Sequence, residues 1–370
     1  MNRRQFLQVS AAAAVFGSDV AIASPRWPPA TIDLLGGISN PNSATPDGPP
    51  TYGIDARAVR DAYASGLYAF NQTIGYVMGP EDPYETTVRD LARWQTLIAG
   101  HPDLRLVQHV RDLTVCRQQR RLGVILGFQN GAMLGTDPAR VQEFVSGGVR
   151  VFQLTYNVRN QLGDGSMVAE NRGLTETGRA MVAAIEAAHG LVDLSHSGEQ
   201  TCLDAIRVAR HPLFLSHTGC RAVADLPRNK TDTELRGVAD SGGLVGIYFM
   251  PFLAIGRQPT ADDLIAHIEH AWHVCGEEHV GIGTDGVVPA IDDMTAYRES
   301  LRAEVAARRA AGVSATGERD DIVPFLPDLA GPQKFAQLYR LLQRRGHSAR
   351  RLDYLFQGNF VRLAKATWRD

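Results

Sequence analysis

The chain has 370 residues, of which 44% are apolar and 21% charged, and a formal net charge of −2. This is the composition of a globular protein; it excludes a disordered or fibrous chain, and the near-neutral charge excludes steering toward nucleic acid or an anionic membrane. The length suits one large α/β domain or two smaller ones, and neither a solenoid-period repeat nor a low-complexity tract is present.

Residues 1–23 read as a targeting segment. MNRRQFLQ, then VSAAAAVFG, then Ala21-Ile22-Ala23 give a charged start, a short apolar middle and a small-x-small site. Arg3-Arg4 ahead of Phe6-Leu7 matches the twin-arginine type, so export to the periplasm is expected, with residues 24–370 as a single mature domain. The apolar middle is too short, and too interrupted by Gly17 and Asp19, to span a bilayer, and no later segment could, so no transmembrane anchor is expected. Cys116, Cys202, Cys220 and Cys275 contain no Cys-x-x-Cys pair and read as buried thiols rather than a thiolate metal site.

Residues 24–52 are rich in Pro, Gly, Ser and Asn, and TIDLLGG within them reads as a first strand. Residues 55–75 and 84–100 carry helical spacing. A regular alternation follows: LGVILGF (122–128) as strand, 137–147 as helix, VRVFQLTY (149–156) as strand, 175–189 as an amphipathic helix ending at Gly190. LVDLSH (191–196) and PLFLSH (212–217) read as strands. Between them Ser197-x-x-Gln200 predicts a capping box, and Thr231-x-x-Glu234 predicts another ahead of the next helix. LVGIYF (244–249) and HVGIGTD (279–285) read as strands around a helix over 261–275, and two long charged helical stretches close the chain. Short apolar strands alternating with helices mean parallel strands with crossover helices. About seven or eight such units favour a (β/α)8 TIM-type barrel over an open sheet.

In such a barrel the site lies at the C-terminal strand ends. Those ends supply Gln129, Tyr156, His196, His217 and Asp285. Two imidazoles and a carboxylate at one mouth suit a Zn²⁺-like ion, which would make hydroxide available at neutral pH. His267, His270 and His273 share a helix without an acidic partner in a motif and read as a packed or solvated face.

The stretches LVDLSHSG, PLFLSHTGCRAVADLPRNKTDTEL, SGGLVGIYF, HVGIGTDG and GNFVRL run in one order across the mature chain. In these the chain resembles the membrane (renal-type) dipeptidases, zinc peptidases of the metallo-dependent, amidohydrolase-like barrels. The resemblance implies that His196 and His217 hold one metal of a pair and that Asp285 adjoins the other and orients or deprotonates the attacking water. It further implies that Arg228, in PRN, holds the C-terminal carboxylate of a dipeptide; a planar guanidinium fork suits that task better than an ammonium. The family tends to form homodimers.

Three departures accompany the resemblance. Asp33-Leu34-Leu35-Gly36-Gly37 stands where the family has Asp-Gly-His-x-Asp, so two ligands are replaced by Leu35 and Gly37. Gln129 stands for the bridging glutamate, and Tyr156 for the histidine that stabilises the oxyanion, a hydrogen bond a phenol can also donate. Counting ligands leaves His196, His217 and Gln129 for one ion, and Asp285, with Asp33 as a distant substitute, for a second. The expectation is therefore one Zn²⁺ rather than two, in a hydrolase of dipeptides or related small amides. The alternatives are a non-hydrolytic peptide-binding protein, or an enzyme of secondary metabolism that has lost the binuclear centre.

Overall fold

The computed structural model describes residues 28–43, 52–312 and 314–369. The twin-arginine segment lies outside the described residues.

Eight parallel strands form the frame: β1 (Thr31–Asp33), β2 (Leu67–Thr73), β4 (Leu122–Phe128), β5 (Val149–Gln153), β6 (Leu191–Asp193), β7 (Phe214–Thr218), β8 (Leu244–Ile247) and β9 (Val280–Ile282). A short strand, β3 (Leu104–Leu106), pairs with the start of β4. The last strand returns to the first: Leu34 N donates to Ile282 O at 2.8 Å, Thr284 N to Asp33 Oδ1 at 2.8 Å, and Gly37 pairs with Val287. The result is the (β/α)8 barrel expected from the alternation.

Around it lie α1 (Ala56–Ser65), α2 (Pro83–Gly100), α3 (Val110–Gln119), α4 (Ala139–Ser146), α5 (Glu176–Ala187), α6 (Glu199–Val208), α7 (Asp232–Asp240) and α8 (Ala261–Cys275). The chain then crosses the mouth with α9 (Met294–Ala310) and finishes with α10 (Lys334–Arg344), α11 (Ala349–Asp353) and α12 (Asn359–Thr367). LGVILGF is buried at every position because helices cover one face and the barrel interior the other. Most helices are amphipathic and lay their apolar stripe on the sheet, as α8 does with Leu264, Ile265, Ile268 and Ala271.

Two local expectations change. Residues 55–75 are a helix and then a strand: Gly66, at φ 84°, ends α1 with its N–H on Tyr63 O, and LYAFNQT continues as β2. Ser197 caps nothing; its hydroxyl meets Thr155 Oγ1 at 3.1 Å, and α6 begins after Gly198 instead. Of the two readings for the histidines of α8, His267 takes the packed one and is fully buried. The second capping box forms as expected, with Glu234 Oε2 accepting from Thr231 N at 2.9 Å. All four cysteines are buried and unpaired. Among the described residues no helix is long and apolar enough to cross a membrane.

Candidate active site

His196 and His217 follow and end two adjacent strands, β6 and β7, and both are buried. Their rings face each other with Nε2 atoms 2.9 Å apart. The opposite nitrogens fix the tautomers. His196 Nδ1 lies 2.7 Å from Asn157 Oδ1, an acceptor, so Nδ1 carries the hydrogen. His217 Nδ1 lies 2.7 Å from Ser216 Oγ, whose own hydrogen goes to Asp193 Oδ2, so His217 Nδ1 is again the donor. Burial, reinforced by the neighbouring Arg228 guanidinium, holds both imidazoles well below their usual pKa. Both rings are therefore neutral, and both Nε2 lone pairs converge on the same space.

Asp193, at the end of β6, is the common anchor of the two Ser-His turns. Its Oδ1 accepts from Ser195 N at 3.0 Å, Ser195 Oγ at 2.6 Å and Ser216 N at 3.1 Å, and Oδ2 accepts from Ser216 Oγ. One buried carboxylate thus sets the position of one ring and the tautomer of the other.

Asp285 follows β9 and places Oδ2 4.0 Å from His217 Nε2. Its backbone is left-handed, φ 53°, a strained conformation held by its N–H on Leu35 O at 2.8 Å. Burial pushes its carboxyl up to about 7, against the pull of Arg228. Gln129, after β4, donates from Nε2 to Thr73 Oγ1 at 2.8 Å and also hydrogen-bonds Asp285, so here it braces the carboxylate.

Tyr156 stacks on His196, ring centroids 4.2 Å apart and planes 26° from parallel. Its phenol is hydrogen-bonded to Arg308 of α9. A guanidinium only donates, so the phenol oxygen accepts and its own hydrogen stays free for another acceptor. Arg308 is held in turn by Glu318 Oε1 at 2.7 Å.

Arg228 is only 2% exposed. Nη1 donates to Ser195 O at 2.7 Å and Nη2 lies 3.2 Å from His196 Nε2. Among the described residues no carboxylate stands within 4.0 Å of it, whereas the neighbouring buried Lys230 has Glu234 at 3.0 Å. A buried guanidinium facing a cavity, with Asp285 near but no described carboxylate in contact, is a site for an anion.

These groups line a cavity of about 190 Å³ shared by Gln129, Tyr156, His196, Arg228, Asp285 and Arg308. Five of the six residues expected at the site line this cavity, and the sixth, His217, is buried behind His196. Asp33 is not a substitute ligand: its two oxygens accept from Thr284 N, Thr284 Oγ1 and Leu35 N, committed to the barrel seam, while burial raises its carboxyl to about 6. Asn157, Asp193 and Arg308 are functional neighbours the sequence reading missed. The serine preceding each histidine was a visible signal for Asp193; nothing local announces Arg308.

His196 Nε2, which also lies within reach of the Arg228 guanidinium, His217 Nε2 and Asp285 Oδ2 are the nearest donors to one point. At the place of a second cation, Leu35 is buried in the core and Gly37 has no side chain, so with Asp33 committed to the seam only Asp285 remains of the donors named for it. Among the described residues no group of three or more His, Cys, Asp or Glu closes on a single point that could hold a metal.

A closed parallel barrel with paired imidazoles, a perturbed carboxylate and an unpaired guanidinium at its C-terminal mouth defines a barrel hydrolase. The match to known proteins narrows this: residues 77–316 match the membrane dipeptidase family, peptidase family M19, and the chain belongs to that family. An uncharacterized protein in the pqqA 5′ region of Klebsiella pneumoniae is 28% identical over 303 residues, covering 79% of this chain and 99% of that one. An uncharacterized dipeptidase of Schizosaccharomyces pombe is 29% identical over 241 residues, 62% of this chain and 56% of that one, so this chain spans little more than half of that relative's length. Among solved structures, an amidohydrolase from Pseudomonas aeruginosa superposes with a TM-score of 0.77 at 26% identity, covering 91% of this chain and 96% of the other.

Proposed function

We propose that the chain hydrolyses dipeptides or closely related small amides that end in a free carboxylate. The observation that carries this reading is Arg228, buried beside the reacting groups with no carboxylate among the described residues in ion-pair contact with it. In the bound state the substrate carboxylate takes the guanidinium fork, and the scissile amide lies between Tyr156, the imidazole pair and Asp285.

His196 and His217 would hold one zinc-like ion, with Asp285 adjoining and Gln129 the weakest donor. Such an ion supplies Lewis acidity and lowers the pKa of a bound water. Asp285, beside the imidazole pair, accepts the proton of the attacking water and delivers it to the leaving amine. Tyr156 donates its free O–H to the oxygen that becomes the oxyanion, while Arg308 keeps the phenol in place. Arg3-Arg4 and the small-x-small site at 21–23 support export of the folded protein to the periplasm.

The test compares a dipeptide with its C-terminal amide, in the wild type and in Arg228→Ala. The dipeptide should be preferred strongly by the wild type, and the preference should vanish in the variant. Equal cleavage of both compounds by the wild type rules out the clamp. Absence of free amino acids from any dipeptide rules out the hydrolase.

A further inference from the structure

A second cavity, about 610 Å³, lies beside the reaction cavity. The two share Asp285 and Pro324 in their walls. The larger one is lined mainly by Phe249, Ile291, Met294, Tyr297, Phe325 and Leu329. Its two cations are occupied elsewhere: Lys334 Nζ donates to Val287 O at 2.8 Å, and Arg298 Nη1 to Asp321 O at 3.3 Å. The chamber therefore offers mainly apolar and aromatic surface, with the two cations at its edge tethered to backbone carbonyls. Its volume falls in the range of about 300–1,000 Å³ that receives drug-sized groups, far beyond the needs of a methyl side chain.

The placement gives the chamber a direction. Arg228 lines only the smaller cavity. If it takes the C-terminal carboxylate, the C-terminal residue fills the space between it and the amide at Asp285. The chamber reaches Asp285 without reaching Arg228, which leaves it for the residue that supplies the amide carbonyl. We infer that this chamber binds the side chain of the substrate's N-terminal residue and that the preferred substrates carry a large apolar, aromatic group there. This inference rests on the carboxylate clamp proposed for Arg228.

Phe-Gly, Ala-Gly, Gly-Phe and Gly-Ala separate the possibilities. For the wild type, kcat/KM for Phe-Gly should exceed that for Ala-Gly at least tenfold, the discrimination an apolar pocket delivers for a change of this size. Gly-Phe should gain no such advantage over Gly-Ala. Ile291→Trp and, independently, Met294→Trp fill the chamber and should bring the Phe-Gly to Ala-Gly ratio toward one. A wild-type ratio within twofold of one, an advantage residing in Gly-Phe instead, or a ratio unmoved in both folded variants overturns the inference. The same four peptides serve as ligands in thermal-shift titrations of the wild type. If none is cleaved, the hydrolase reading fails, yet stronger stabilisation by Phe-Gly than by Ala-Gly still upholds the chamber, and equal stabilisation sinks it.

Discussion

His267 offers a quantitative link between acidity and the integrity of the mouth. It is fully buried on α8, accepts from Cys220 N at Nδ1 (2.8 Å) and lies 3.0 Å from Leu253 O at Nε2. The ring therefore carries its hydrogen on Nε2 and ties together the loop after His217 and the segment of Met250–Phe252 that lines the reaction cavity. Protonation would place a second N–H against the Cys220 N–H. Burial accordingly lowers its pKa from 6.5 to about 4. The unfolded chain then binds the proton more readily, so stability is fully present above pH 6.5 and is lost as pH falls from 6.5 toward 4. With these two values the loss relative to pH 8 reaches about 2 kcal/mol at pH 5 and about 3 kcal/mol at pH 4. Urea denaturation of the wild type and His267→Gln at pH 8 and pH 5 isolates this contribution, because glutamine can accept and donate at both positions but does not titrate. The wild type should lose about 2 kcal/mol more than the variant between the two pH values. Identical losses would refute the assignment of a neutral, doubly bonded imidazole.

Tyr156→Phe removes the free O–H while keeping the ring on His196; kcat on a dipeptide should fall about 10²–10³-fold, with KM changed far less, in steady-state kinetics. Undiminished kcat would remove Tyr156 from the oxyanion role. Metal analysis of purified protein should give about one zinc-like ion per chain in the wild type and a marked loss in His196→Ala and His217→Ala. Two ions per chain, or equal content in all three proteins, contradicts the lone-pair argument. Asp193→Asn turns an amide donor toward groups that already donate and should destabilise the fold by about 2–4 kcal/mol in chemical denaturation. A variant as stable as the wild type shows that the Ser-His turns are held by other contacts.

The barrel was readable because its strands are short, apolar and punctuated. LGVILGF and the helix over 261–275 match their observed bounds residue for residue. β2 was hidden because Leu67, Tyr68 and Phe70 continue the helical spacing of α1, and only Gly66 marks the break. The Ser197 capping box shows the opposite error. The local pattern was right, but a tertiary partner, Thr155, claimed the side chain of that serine, and a turn to Leu194 O took its backbone N–H. At the site, strand-end positions identified the side chains that face the mouth. They could not identify Arg308, which reaches Tyr156 from 152 positions away. Nor could they show that Asp33 faces the seam, since that depends on how the barrel closes onto Thr284.

The division of labour between stretches of chain has a consequence for change over time. Most of the bond-breaking machinery hangs on the rigid staves, whereas the greasy annex is walled largely by the loop and helix after the last stave and by the segment around Phe325. Those wall segments can be rewritten while the staves stand still. A lineage, or an engineer, could therefore alter which molecules are admitted, provided Arg308, which steadies Tyr156 from the same helix, is kept.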